Sequence, residues 1–478
     1  MQYIKKNNLK NLIEPSLHNY LDKENYEVFE LDAKNLISPN RLDLIYKIVF
    51  LREFNKRSNY SKECYLEHIR SFNFGKYFEF GNPKKNSAKN FLKAFEDIDK
   101  DIQINGFDSS KSVIPLAKDG TILNGSHRIA SSIVRDKKVS CIKLSCEPCN
   151  YDYSFFVNRL VNQIWLEEII FNYILESNNF SVALIWPRAN INNKILKKIF
   201  EKIIYFKEIK LNLNGLDQLI KVVYKSEDWI NKNNNYKGSF LKTTKCYKYN
   251  NPLKIIIFES KGHDYDLKIK YHLRNICKVG NHSIHTTDNK SDSIKILRLL
   301  LNKNAINFIN NHYYNYKKEK FDYLNNLEKL IKNKNFLKKD FIMSYKSSLY
   351  LYGLIKSNAS NIFEIYTLNH IKAIKNFKII NFNSRNKLCK EIFHNPKYFF
   401  CLNNLKFISI NGILYLNKIG FIQLNNREQL KLKKINHNFN TPFLQKIKLI
   451  FYYFWNIFKF KTIECINLIR IYLRENSL

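Results

Sequence analysis

Acid is scarce in this 478-residue chain: 42 Asp and Glu stand against 79 Lys and Arg, a formal charge of +37. Such a chain attracts polyanions, whether nucleic acid, anionic lipid or phosphorylated sugars. Glycine (12), proline (9) and methionine (2) are sparse beside abundant Lys, Asn, Ile, Phe and Tyr. This is the residue choice of an AT-rich genome, which raises lysine without functional demand. The lysines are scattered and build no long basic tail, so the charge points to an anionic partner more than to nucleic acid in particular. No run of about 18 uninterrupted apolar residues occurs, so no transmembrane helix is expected. The first twenty residues, "MQYIKKNNLKNLIEPSLHNY", lack a continuous apolar core, and no secretory signal is expected. Nine cysteines, odd in number and widely spread, suit a reducing compartment better than a disulfide framework, so the cytoplasm is the expected location. Internal repeats are absent.

What is present excludes global disorder, because 45% hydrophobic and 15% aromatic residues supply real cores. The length implies two or three domains. The pattern predicts an α+β and α/β multidomain chain: an α+β module over 1–150, a mixed α/β domain over 151–320, a small α/β domain over 341–440 and a basic aromatic helical tail over 441–478. Residues 1–60 read as helical and mixed. A helix is expected at 87–105, where Phe91, Phe95, Ile98 and Ile102 share a face before Gly106. Residues 151–176 and 291–315 each read as one helix, "FSVALIWPR" (180–188) as a strand, and 321–340 as a charged connecting helix.

The stretch "DGTILNGSHRIASSIV" (119–134) carries the densest chemistry. "SVIPLA" (112–117) reads as a strand, Asp119-Gly120 as a hairpin turn and "TILNG" as the returning strand. Ser126 is positioned to cap a helix bearing Ile129, Ala130 and Ile133, and "VSCIKL" (139–144) supplies another strand. A helix N-terminus offers free N–H groups and partial positive charge to an anion. Asn124, Gly125, Ser126 and Arg128 are the candidate phosphate or nucleotide ligands, and His127 is a candidate proton shuttle. Glu79, in "YFEFGNPKK", is a second candidate catalytic group, as general base or metal ligand. The alternative is an ordinary capped helix with a surface His and Arg.

The order strand–DG–strand–NGSHR–helix–strand resembles the ParB/sulfiredoxin superfamily over about residues 75–150, on Asp119, Gly120, Gly125, His127, Arg128 and Ala130. Members bind nucleotide phosphates at this junction; they include partition proteins that bind CTP, sulfiredoxins that use ATP, and free-serine kinases. The resemblance therefore implies ATP or CTP, with or without Mg²⁺, as the ligand. Sulfiredoxins carry a reactive Cys immediately before the His-Arg pair; here Ser126 stands there, which removes sulfinic-acid reduction. Partition proteins follow the box with a helix-turn-helix reader, and no such pair is expected after residue 150.

A second constellation lies in "KIKYHLRNICKVGNHSIHTTDNKSDSIKILRLL" (268–300). His282, His285 and Asp288 fall within seven residues, a spacing open to a metal triad or, with Lys268 and Arg274, to a phosphate or acceptor site. Asp288 or Ser291 alternatively caps the helix that follows. Weaker signals are Cys141, Cys146 and Cys149, short of a four-ligand zinc set, and His263-Asp264-x-Asp266, read as a turn. "SSLYLYGLI" with "IFEIYTL" faintly resembles the entry to nucleotidyltransferase-type domains, with Glu364 the only carboxylate present. The segment 447–473 interleaves aromatics with Lys and Arg, as a helix touching anionic headgroups does; the alternative is a C-terminal helix whose aromatics pack onto the third domain.

Together these readings predict a phosphoryl- or nucleotidyl-transfer enzyme acting on a small anionic or sugar-type substrate, fitting surface-polysaccharide biosynthesis, with peripheral membrane contact through the tail. A nucleic-acid-binding, partition-like or nuclease-related protein and a non-catalytic scaffold are the alternatives.

Overall fold

The computed structural model describes residues 2–54, 59–73, 75–79, 82–230, 236–311, 318–332, 341–355, 363–368, 375–382, 391–403 and 405–438. The chain divides into two compact units, Met1–Ile422 and Gln423–Leu478. The first is mixed α/β and holds three separate sheets.

The first sheet has the order β1-β2-β4-β3, from β1 (Gln2–Lys5), β2 (Asn25–Asp32), β3 (Ile114–Leu116) and β4 (Lys138–Lys143), and only β3 and β4 run parallel. Its helices are α1 (Lys6–Leu9), α2 (Leu42–Phe54), α3 (Asn59–Phe72), α4 (Ala88–Asn105) and α5 (Ser126–Val134). Two of these strands lie in the N-terminal stretch expected to be helical and mixed. There Tyr26 and Val28 alternate with Glu27, so a period of two puts the apolar pair on the core and the acid outside. Helix α4 forms where expected, with Ser87 accepting from the Asn90 amide and Gly106 closing it at φ +76°. "TILNG" touches β3 through a single bridge, Leu116 to Ile122, and does not extend into a strand. Asp119 closes the turn by accepting the Thr121 amide at 2.8 Å and hydroxyl at 2.9 Å.

Helix α2 is the centre of this layer, buried nearly all round and packed against α3, α5 and α7 (Gln163–Glu176). It brings charge into the core. Arg41, just before it, grips Asp43 with two bonds of 2.8 and 3.0 Å, Lys47 donates to Asp43 at 3.0 Å, and Lys47 also donates to His68 Nε2 at 3.0 Å. All four are at most 3% exposed, so each charge depends on its partners for the solvation that water would give.

The second layer begins with α6 (Tyr153–Asn158) and α7, two helices where one was expected. The chain breaks at Leu160, which sits at φ +59°, and Asn162 restarts it by accepting the Ile164 amide at 3.0 Å. The sheet follows as β5 (Phe180–Ile185), α8 (Asn193–Ile199), β6 (Ile203–Ile209), α9 (Leu213–Val223), α10 (Lys237–Cys246), β7 (Leu253–Glu259), α11 (His263–Cys277) and β8 (Ile284–Thr286). Strand order is β6-β7-β5-β8 with every neighbouring pair antiparallel, a β-α-β-β-α-β connectivity with α9 and α10 inserted between β6 and β7. Helices α8 and α11 cover one face through Leu196, Phe200, Ile269 and Leu273, against Ala183, Ile185, Ile256 and Phe258. Since Val182, Leu184, Ile255 and Ile257 are also buried, both faces are covered, and β7 carries the unbroken apolar run Ile255–Phe258. The expected single helix at 291–315 is α12 (Lys290–Leu300) and α13 (Lys303–Asn311), separated where Asn302 accepts the Ala305 amide at 2.9 Å.

The third layer holds α14 (Lys318–Lys332), β9 (Phe341–Met343), α15 (Tyr345–Leu351), β10 (Phe363–Thr367), β11 (Phe377–Asn381), α16 (Glu391–His394), β12 (Phe399–Leu402), β13 (Leu405–Ile408) and α17 (Ile410–Lys418), with strand order β11-β10-β9-β13-β12. Glu391 ties it to the first layer by accepting the Asn59 and Tyr60 amides at 2.5 and 3.3 Å. In the second unit, α18 (Asn426–Asn438) opens on a capping box between Asn425 and Glu428. The tail at 441–478, read from sequence as a basic aromatic helix pair, lies outside the described residues.

Asp43→Asn leaves Arg41 and Lys47 buried without their counter-charge and is expected to cost about 3–5 kcal/mol. Glu147→Gln, in the exposed pair with Lys118, is expected to change stability by no more than about 1 kcal/mol. Urea unfolding followed by far-UV circular dichroism distinguishes the two.

Candidate functional site

The corner at 124–128 is built as a strand-to-helix junction, with one change of role. Gly125, not Ser126, is the N-cap of α5, at φ +87°. The dihedral calls for glycine, and a Cβ there would also push aside Ile114 Cδ1, 2.6 Å away. Ser126 is the first helical residue. Asn124 turns its side chain onto its own backbone, where Oδ1 accepts the Gly125 amide at 2.5 Å, while Nδ2 bonds Glu14. One of the amides an anion would use is thus occupied, and a carboxylate stands beside it. Arg128 folds over Gly125, and no ion pair engages its guanidinium among the described residues.

His127 points inward. Its Nε2 lies 3.0 Å from the Tyr65 hydroxyl, and its ring meets Phe95 edge-on at 4.6 Å. Burial, aided by the nearby cations Lys47 and Lys85, holds it well below the ordinary histidine value, so it is neutral at pH 7. Burial likewise holds His68 down, and lowers Lys47 to about 8 against the pull of Asp43. Glu79 is drawn to the same side of the layer, paired with Lys85 at 2.8 Å, and its charge helps raise the Tyr65 hydroxyl. A buried Arg41–Asp43–Lys47–His68 network therefore lies behind His127, and none of those four residues stood out in the sequence.

The second constellation faces open space. A cavity of about 490 Å³ is lined by Tyr224, Trp229, Lys242, Lys245, Lys270, Arg274, His282 and His285, among others. An adjoining one of about 630 Å³ shares Tyr224, Trp229, Lys270 and His285 and adds Lys225, Glu227, Asp288, Asp292 and Lys295. The short edge strand β8 carries His285, so helices from both sides of the sheet converge on it. Lys242 bridges α10 to the turn before β8, donating to the Asn281 carbonyl at 2.7 Å. Tyr224 stands edge-on to His285 at 5.1 Å and against Trp229 at 5.1 Å. Gly238 lets α10 approach this wall, since a Cβ there would fall 1.9 Å from the Trp229 carbonyl oxygen.

The first cavity is strongly basic. Four cations line it and no carboxylate does. Burial and the neighbouring Arg274 lower both Lys242 and Lys270. Burial, with Lys270 and Lys242, pushes His285 down to about 3. His282 is lowered in the same way and places Nδ1 3.8 Å from Cys246 Sγ. Arg274 Nε is buried with no hydrogen-bond partner among the described residues.

The structure unites Arg274, His282 and His285 at this cavity, and puts Asp288 on the neighbouring one. Lys268 is exposed and lines neither. On α11 a two-residue step turns through about 200°, so Lys270 and Arg274, one turn apart, share the face that Lys268 leaves. The metal triad does not form: among the described residues no three His, Cys, Asp or Glu side chains gather into a set able to hold a metal ion. Neither Asp288 nor Ser291 caps α12; Asn289 does, accepting the Asp292 amide at 3.0 Å. His263, Asp264 and Asp266 form the first turn of α11, where acids suit the helix dipole, in place of the expected turn between strands. Cys141 lies buried in β4 with its thiol pushed up to about 12, a poor metal ligand. Glu364 on β10 is countered by Lys378 at 3.3 Å and Lys346 at 3.9 Å.

Compared with models of protein families, with curated proteins and with solved structures, the chain matches none. Among the described residues, no helix is long and apolar enough to cross a membrane.

Because His285 is neutral in the fold and protonates freely once unfolded, the unfolded chain takes up more protons below about pH 6.5. Stability must therefore fall as the pH drops from about 6.5 toward 3, by up to about 1.4 kcal/mol per pH unit from this residue. His285→Gln is expected to flatten that part of the acid limb, read as urea midpoints at pH 7, 5.5 and 4.5.

Proposed function

We propose that the chain binds a phosphorylated small molecule in the basic cavity of its second layer and belongs to the phosphoryl- or nucleotidyl-transfer class. One observation carries this reading: Lys242, Lys245, Lys270 and Arg274 line a single cavity whose walls hold no carboxylate. Like charges gathered on one wall repel one another, the more so where Lys242 and Lys270 are partly desolvated, and an anion seated among them relieves the repulsion. Arg274 offers a planar fork for phosphate oxygens, the lysines offer rotatable donors, and the neutral His282 and His285 can each donate one N–H. Transfer of a phosphoryl or nucleotidyl group is catalysed chiefly by placing such charges where negative charge develops. ATP or CTP, with or without Mg²⁺, and phosphorylated sugars are the ligands of the right chemistry. The Gly125–Arg128 corner, which resembles the nucleotide-binding box of the ParB/sulfiredoxin superfamily, is a second anion contact in this reading.

The nucleic-acid reading has less support. Helix α7, the second of the pair after residue 150, is packed against α2 and α12, with Leu166, Ile169, Ile170, Tyr173 and Ile174 buried. A helix so covered is not presented to a groove.

Thermal-shift measurements with pyrophosphate, ATP, CTP and nucleotide sugars, with and without Mg²⁺, check the proposal. Wild-type protein is expected to gain about 2.7 kcal/mol at a ligand concentration near 100 times Kd. Arg274→Ala and Lys270→Ala are each expected to weaken pyrophosphate binding about 10- to 100-fold, the worth of one charge-assisted hydrogen bond. No shift with any anion, or shifts untouched by both substitutions, contradicts it.

A further inference from the structure

The two adjoining cavities differ in charge, and the difference names a substrate class. Resting on the phosphate-binding reading above, we infer that the ligand is a phosphate ester of a sugar, its phosphate in the basic lobe and its hydroxylated ring in the lobe beside it. The second lobe is balanced: Lys225, Lys270 and Lys295 face Glu227, Asp288 and Asp292. An anion gains nothing from such a wall, whereas a neutral polyol finds donors and acceptors in equal number, the carboxylates taking its O–H groups and the ammonium groups giving to its oxygens. Three of these charges are already engaged, Lys295 and Asp292 with each other at 3.1 Å and Lys225 with Glu328 on α14. Asp288 is exposed and forms no ion pair among the described residues.

The shared wall supplies the apolar half of the recognition. Trp229 leaves 43% of its surface exposed beside Tyr224, although an indole of that size is normally covered. A pyranose has an apolar C–H face that packs on such a ring while its hydroxyls reach the polar wall. His285 lines both lobes and makes no side-chain hydrogen bond among the described residues, so its N–H stands where the ester oxygen joins phosphate to sugar. Lys270 also lines both; burial and the Arg274 charge lower it, while the Asp288 charge works the other way.

Isothermal titration of the full chain with inorganic phosphate, glucose 1-phosphate and cytidine 5′-monophosphate tests this, on wild type, Trp229→Ala and Asp288→Asn. Both substituted residues are exposed, and unchanged circular dichroism and melting temperature confirm that the variants fold. Glucose 1-phosphate is expected to bind about tenfold more tightly than inorganic phosphate. Each variant is expected to lose most of that gain, read as the ratio of its affinities for glucose 1-phosphate and inorganic phosphate. Equal affinity for the two ligands in wild type, or a gain that both variants retain, overturns the sugar assignment and leaves the phosphate site standing. Tighter binding of the nucleotide than of glucose 1-phosphate assigns Trp229 to a base and overturns it as well. Failure of all three ligands to bind overturns the phosphate site and this inference together.

Discussion

Four cations share one cavity, and nothing on its walls neutralises them. The second layer holds in place the helices that carry them. Helix α11 carries Lys270 and Arg274 and is anchored to the sheet by Ile269 and Leu273. Helix α10 carries Lys242 and Lys245 and is fixed near its start by the close approach of Gly238 to Trp229 and at its middle by the bond from Lys242 to the Asn281 carbonyl. Folding thus works against electrostatic repulsion at this place, the apolar packing of the sheet supplying the difference. A site that holds like charges together at rest is organised before its ligand arrives, which is the condition for strong electrostatic recognition and catalysis.

The first layer uses charge in the opposite manner. Arg41, Asp43, Lys47 and His68 are buried but satisfied, each bonded to the next at 2.8–3.0 Å. This network joins α2 to α3, and the Tyr65–His127 contact joins α3 to α5. His127 is thereby turned away from the mouth of the helix and serves the core. Arg128 is half-buried and forms no ion pair among the described residues. Two basic features of one chain therefore have different physical standing: the buried cations of the first layer share Asp43, whereas the four at the second-layer cavity meet no carboxylate on its walls.

Much of the architecture was legible where one period dominated. Helix α4 was readable from Ser87, its apolar face and Gly106; β3, β4, β5 and β7 were readable from short apolar runs between breaks. Errors gathered where asparagine interrupts a helical pattern. Asn162, Asn289 and Asn302 each begin a new helix by capping, and a chain rich in Asn gives no sign of which ones do so. Strand β2 was hidden because its alternation is diluted by Glu24, Glu27 and Glu30, which also suit a helix surface. Of the candidate site, the stretch from Arg274 to Asp288 was visible as a density of His, Arg and Asp. Lys242, Lys245 and Trp229 were not, since they reach the cavity from a segment 25 or more residues away in sequence, and only the β-α-β-β-α-β connectivity brings them there. A helical reading of 265–276 would have exposed the Lys270–Arg274 pair by its spacing of four.

The claim that the second layer, and not the Gly125–Arg128 corner, holds the principal anion site is tested most directly by a crystal structure of the protein soaked in tungstate, a heavy oxyanion of phosphate shape. The account predicts the strongest anomalous peak within hydrogen-bonding distance of Arg274 and Lys270. A dominant peak at the N-terminus of α5, with the cavity between α10 and α11 empty, would contradict it.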